Sequence, residues 1–157
     1  MKPARLLYPV EQKDYTSDPF IAKQWEKLRI AFQGACVLTL FGYGAPTSDV
    51  EAVSLMHDAW GRAETRQLEQ VEIIDTKSRQ ELASTWSAFI CRGHYETSDD
   101  FYQSWIVKHP RTTCEAVWNQ FMEIRDLTDN PIPKASSFEE LRDWLQPLLA
   151  AERRRAD

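Results

Sequence analysis

Through the first part of the chain, short unbroken apolar runs alternate with longer stretches in which apolar residues return every three or four positions. This is the order expected of strands and helices in turn. Leu6-Leu7-Tyr8-Pro9-Val10 predicts a strand with Pro9 at its end or edge. Ile21, Trp25, Leu28 and Phe32 then share one helical face, opened by Asp18 as cap with Pro19 in the first turn, and stopped by Gly34. Ala35-Cys36-Val37-Leu38-Thr39-Leu40-Phe41 has neither charge nor alternation, the pattern of a strand covered on both faces. It predicts the central strand, with Val37 and Leu38 buried on opposite sides. After a turn over 42–46, Ser48 and Glu51 form a capping box for a helix carrying Val50, Val53, Met56 and Trp60, ended by Gly61. Val71-Glu72-Ile73-Ile74-Asp75 predicts a third strand, and Ser78 with Glu81 caps a helix bearing Leu82, Trp86, Phe89 and Ile90.

Beyond this point only helical patterns recur. Residues 98–108 carry Phe101 and Trp105, Thr112 with Glu115 heads a helix with Val117, Trp118 and Phe121, and Ser137 with Glu140 heads one with Phe138, Leu141, Leu145 and Leu148. Pro147 should kink or interrupt that last helix. The expected fold is α/β: a small, mostly parallel three-stranded sheet flanked by helices, a partial Rossmann-like arrangement, followed by a helical C-terminal portion. The pattern divides a single domain, residues 1–157, into an α/β part over 1–93 and a helical part over 94–157. Parallel strands need crossovers, and the right-handed rule then sets the intervening helices on one side of a sheet whose strands run in order.

Composition narrows the class. With 43% hydrophobic residues in 157, the chain can bury a core without staples. Its three cysteines, Cys36, Cys91 and Cys114, are widely spaced and make no CxxC pair, so a disulfide framework is not expected and a reducing cytoplasm is. No apolar stretch is long enough to cross a membrane, and no secretory signal pattern follows Met1. A formal charge of −5 disfavours a broad electrostatic grip on nucleic acid.

One loop can carry chemistry. In open parallel sheets, ligands bind beyond the carboxyl ends of the strands. Here that loop reads Phe41-Gly42-Tyr43-Gly44-Ala45-Pro46-Thr47-Ser48-Asp49. Gly42 and Gly44 allow close backbone approach, Thr47 and Ser48 offer hydroxyls, and the helix start offers N–H groups to a phosphate or ribose oxygen. The third glycine of the dinucleotide fingerprint is missing, and Asp49 would repel a phosphate, so a plain tight turn with a helix cap is the competing reading.

The segment Leu6-Leu7-Tyr8-Pro9-Val10-Glu11-Gln12-Lys13-Asp14-Tyr15, together with the loop from Leu40 to Ala52, resembles the second half of bacterial SIR2-like proteins, distant relatives of the sirtuins. The resemblance covers roughly residues 6–77, about half the chain. In that family a buried strand ends in a Gly-x-Ser turn beside the adenosine side of NAD, and the next strand ends in a polar residue contacting the adenine ribose. By position, Gly42 matches the turn glycine, Gly44 stands where the family usually has serine, and Asp75 ends the next strand. The resemblance thus implies NAD or ADP-ribose as ligand, contacted by Gly42, Tyr43, Gly44, Thr47, Ser48 and Asp75, in bacterial NAD metabolism or phage defence. The family's Gly-Ala-Gly phosphate loop and its asparagine and histidine for NAD cleavage lie upstream of the matched part. The expectation is therefore a partial nucleotide-binding domain without catalytic residues of its own, joined to a partner or self-associated through open sheet edges. A protein-interaction domain that has lost nucleotide binding is the alternative.

Other clusters read more plainly. Cys91-x-x-His94, with Glu96 and His109, contains metal-ligand types but lacks a second spaced pair; no metal is expected, and Cys91 reads as a buried helix residue. Cys114, in a first helical turn downstream of His109 and Arg111, is the best candidate nucleophile, yet a small apolar packing role is the simpler reading. His57 is expected at a surface or boundary, and Arg153-Arg154-Arg155 complement a helix C-terminus.

Overall fold

The computed structural model describes residues 15, 17–45, 49–62, 65–66, 69–123, 130–134 and 137–156. The expected strand over residues 6–10, and Pro46, Thr47 and Ser48 of the glycine loop, lie outside them. The chain divides into two compact units, Met1–Asp99 and Asp100–Asp157.

In the first unit, helix α1 (Pro19–Gly34) precedes strand β1 (Val37–Phe41), helix α2 (Val50–Trp60), strand β2 (Gln70–Ile74), helix α3 (Arg79–Thr85) and strand β3 (Tyr95–Ser98). The helix signals at Asp18, Ser78 and Gly61 act as expected. The Asp18 carboxylate accepts from the N–H groups of Phe20 and Ile21 at 2.8 and 3.2 Å, with Pro19 opening α1. Ser78 and Glu81 close a reciprocal capping box on α3. Gly61 ends α2 at a φ of 89° that a side chain would resist. Helix α2 starts at Val50 with Asp49 in the cap position, where its side chain caps no N–H.

The described strands form one parallel sheet in the order β1-β2-β3. The fold is α/β, as expected, but the strands differ from expectation in two ways. First, β3 is a strand where the pattern predicted none, so the sheet-bearing part extends past residue 93 to Ser98. Tyr-Glu-Thr-Ser has no apolar run; it is extended because its backbone pairs with β2, with Val71 beside Tyr95 and Ile74 beside Ser98. Second, among the described residues β2 is central and β1 lies at the edge. All five residues of β2 are buried, whereas Val37 and Leu38 are only half-buried.

Side chains one apart on a strand point to opposite faces. Leu38, Leu40, Val71, Ile73 and Tyr95 therefore share one face, and they pack with Val53, Met56 and Trp60 of α2 and with Leu82, Trp86 and Phe89. Both crossover helices lie on this side, as right-handed connections between strands in sequential order require. The other face carries a polar row: Thr39 pairs with Glu72, and Glu72 with Glu96. Glu72 is 3% exposed, and its carboxylate accepts from the Thr39 hydroxyl at 3.0 Å.

Arg66 joins the carboxyl ends of α1 and α2. Its guanidinium donates to the carbonyls of Phe32 and Trp60, and to that of Ala35 at 2.7 Å, while its carbon lies 3.7 Å from the centre of the Trp60 ring. Helix ends leave carbonyls unpaired and carry partial negative charge, so a forked cation meets both demands. Trp60 is fully buried and donates its indole N–H to the Phe89 carbonyl at 3.0 Å.

The second unit holds a 3-10 turn (Phe101–Gln103) and helices α4 (Trp105–Lys108), α5 (Thr113–Trp118) and α6 (Phe138–Ala156), with a π turn at Asn119–Glu123. The helix expected over 98–108 is thus broken, because Ser104 is extended at ψ 153° and caps α4 through the Val107 N–H. Its buried residues, among those described, are Ser104, Trp105, Val107, Ala116 and Val117. The Ser137 hydroxyl accepts from the Glu140 N–H at 3.2 Å, and α6 runs through Pro147 as one helix rather than stopping there. The proline nitrogen has no N–H to donate to the helix ladder there. No helix among the described residues is long and apolar enough to cross a membrane.

Candidate functional site

The carboxyl ends of β1 and β2 are in register, Phe41 beside Ile74, so the loops that follow leave the sheet side by side. The first loop turns at Gly42, whose φ of 68° is left-handed, and again at Ala45, with φ 44°. Gly44 is not left-handed. A Cβ there would meet only the Lys77 ammonium, at 3.9 Å, which is ordinary contact. The two loops therefore come together at Gly44 and Lys77. Replacing Gly42 by alanine should cost about 1–2 kcal/mol of stability for the left-handed backbone. Gly44→Ala should stay within about 0.5 kcal/mol of neutral, and urea denaturation of the two variants compares them directly.

Asp75, the residue after β2, is half-buried. Its N–H donates to the Ser98 carbonyl at 2.9 Å, and its Oδ1 accepts from the Lys77 N–H at 3.1 Å, turning the chain into α3. An ionised carboxylate has capacity for further donors. Lys77 is exposed and was not singled out by pattern; a lone surface lysine carries no signal until the fold sets it above a glycine.

Tyr43 is the loop's anchor. Its ring lies against Trp86, centroids 5.9 Å apart, and its hydroxyl donates to Asp49 Oδ2 at 3.0 Å. The Tyr15 hydroxyl donates to the other oxygen, Oδ1, also at 3.0 Å. Burial pushes the Tyr43 phenol up to about 12, with the hydrogen bond and charge of Asp49 acting in the same direction. At the head of α2 the Asp49 carboxylate complements the helix dipole, and it occupies in charge the position a phosphate would take. Of the expected contacts, Gly42, Tyr43, Gly44 and Asp75 thus lie on two adjoining loops, while Thr47 and Ser48 are outside the described residues.

The remaining candidates do not converge. Cys91 is buried, as expected, but in the turn before β3 rather than in a helix. Among the described residues no three His, Cys, Asp or Glu side chains gather as metal ligands. Cys114 is exposed in α5, which departs from the packing role expected of it, and Arg111 is paired with Glu152. His57 is half-buried, edge-on to Phe89. Comparison of the chain with family models, with curated proteins and with solved structures gives no match in any of the three.

Proposed function

We propose that the chain is a partial SIR2-like domain that binds the ADP-ribose portion of NAD at the carboxyl ends of β1 and β2, without catalysing a reaction alone, in bacterial NAD metabolism or phage defence. The observation that carries this reading is the meeting of the glycine turn after β1 with the Asp75–Lys77 turn after β2, where a Cβ on Gly44 would lie 3.9 Å from Lys77 Nζ. Gly44 leaves room for a ligand against the backbone, the Lys77 ammonium supplies charge for a pyrophosphate, and Asp75 accepts from ribose hydroxyls. Asp49 directs the pyrophosphate toward Lys77 and away from the head of α2 by like-charge repulsion. The alternative is an interaction domain without nucleotide binding. It is favoured by the exposure of Phe41 and Val50, 60% and 67%, beside the same loop, an apolar rim that a second protein chain would cover.

Calorimetric titration of the folded chain with ADP-ribose, NAD and adenosine tests the proposal. Lys77→Glu should weaken ADP-ribose about tenfold or more while leaving adenosine and the unfolding midpoint unchanged, because Lys77 is exposed and in this proposal would meet only the phosphates. Absence of heat with all three ligands would favour the interaction reading.

A further inference from the structure

At the opposite end of the sheet, where β1 and β2 begin, an open cleft of about 360 Å³ lies between the carboxyl ends of α1 and α2. Its charged lining residues are Asp58, Arg66 and Glu69, with Cys36 and Gly61 beside them. Both helices present their negative ends here. Among the described residues the one lining cation is Arg66, and it already spends donors on the carbonyls of Phe32, Ala35 and Trp60. Its attraction to Glu69 acts through space. Glu69 is 4% exposed, and its Oε1 is buried without a hydrogen-bond partner among the described residues. A buried carboxylate oxygen that accepts nothing is costly, and such groups are as a rule satisfied in the functional state.

What Glu69 lacks is a cationic donor of its own, since the Arg66 N–H groups go to backbone carbonyls. Two carboxylates and two helix ends against one guanidinium leave it net negative, so an anion or a phosphate is unfavourable. A metal ion does not fit either, since among the described residues the lining carboxylates do not assemble a ligand set. We propose that this cleft is a cation site for an alkylammonium group, with Glu69 as the anchoring acceptor and Asp58 at the rim. An ammonium brings three donors and a compact charge, and its alkyl stem can lie along Ala59 and Gly61. The volume is at the lower end of the range for small-molecule pockets and accommodates a short diamine. The group could be supplied by a free amine or by a lysine side chain, and the same chemistry recognises both. The site is independent of the nucleotide proposal, which concerns the other end of the strands.

Titration of the full chain at low salt, followed by amide and side-chain NMR shifts, uses putrescine and Nα-acetyl-lysine methylamide as probes and butanediol as the uncharged control. Saturable shifts at Gly61 and Glu69 with either amine, absent with the diol, are expected. A response to putrescine alone identifies a free amine as the source, and a response to the lysine derivative identifies a side chain. Glu69→Gln keeps the shape and removes the charge; it should weaken the amine about tenfold or more, with the fold retained by circular dichroism. Should Glu69→Gln fail to fold, Asp58→Asn serves, with a smaller loss expected at the rim. No saturable shift in the folded wild type, or equal binding by both variants, overturns the proposal.

Discussion

Replacing Arg66 by methionine should lower the unfolding free energy by about 3 kcal/mol, the largest loss expected from any half-buried position in the first unit. The helix-end carbonyls of Phe32, Ala35 and Trp60 lose the guanidinium at once, and that of Phe32 keeps only the Ala35 N–H, at 3.3 Å. Methionine fills much of the volume, so the effect isolates the guanidinium rather than a cavity. Each carbonyl stranded away from water costs about 1–3 kcal/mol, and water entering the open cleft recovers part of this. The stacking of the guanidinium on Trp60 adds roughly 1 kcal/mol where it is partly desolvated. Lysine at this position keeps the charge but lacks the planar fork, and it should recover less than half of the loss. Urea denaturation of the three proteins decides the matter. A methionine variant within about 0.5 kcal/mol of wild type would show that water serves the helix ends equally well.

Most of the first unit is legible because its signals are local. Asp18-Pro19 and Ser78 with Glu81 satisfy the orphan N–H groups of their own helices, so they act wherever the helices dock. Gly61 ends α2 for a backbone reason. The charge-free run 35–41 announces a strand, but its neighbours decide whether that strand is central. Among the described strands β2 takes the centre although it contains Gln70 and Glu72, residue types that argue against burial in any pattern. Glu72 is tolerated in part because Thr39, one strand away and more than thirty residues earlier, donates to it. β3 is illegible for a related reason: Tyr95-Glu96-Thr97-Ser98 is extended through pairing with β2 and not through its own composition. In the candidate site the glycines were visible and their roles were not. Gly42 carries the left-handed turn, whereas Gly44 provides open space under Lys77. Arg66 and Glu69 fall in a stretch with no periodicity, where position in three dimensions alone confers meaning.

Truncating Trp86 to alanine should cost about 3–5 kcal/mol and alter the candidate site together with the core. The indole is 1% exposed, packs edge-on to Phe89 at 5.4 Å and lies under Tyr43 at 5.9 Å. Its removal opens a cavity between α3 and the sheet that Leu82 and Phe89 cannot fill without leaving their own contacts. A loss of that size is a large fraction of the stability of an ordinary domain, about 5–15 kcal/mol in all. The site consequence is read through Tyr43, whose phenol is held up chiefly by burial. In the wild type the folded phenol keeps its proton to about 12, while the unfolded one releases it near 10. The folded state therefore binds the extra proton between these values, and stability falls as pH rises through that window. With Trp86 gone, water reaches the Tyr43 ring and its titration moves back toward 10, so tyrosinate absorbance should appear at lower pH and the alkaline loss of stability should shrink. Tyr43→Phe provides the reference, because it removes the titrating group and leaves Trp86 in place. If the Trp86 variant remains folded and Tyr43 still titrates near 12, the loop is held by Asp49 and not by the core beneath it.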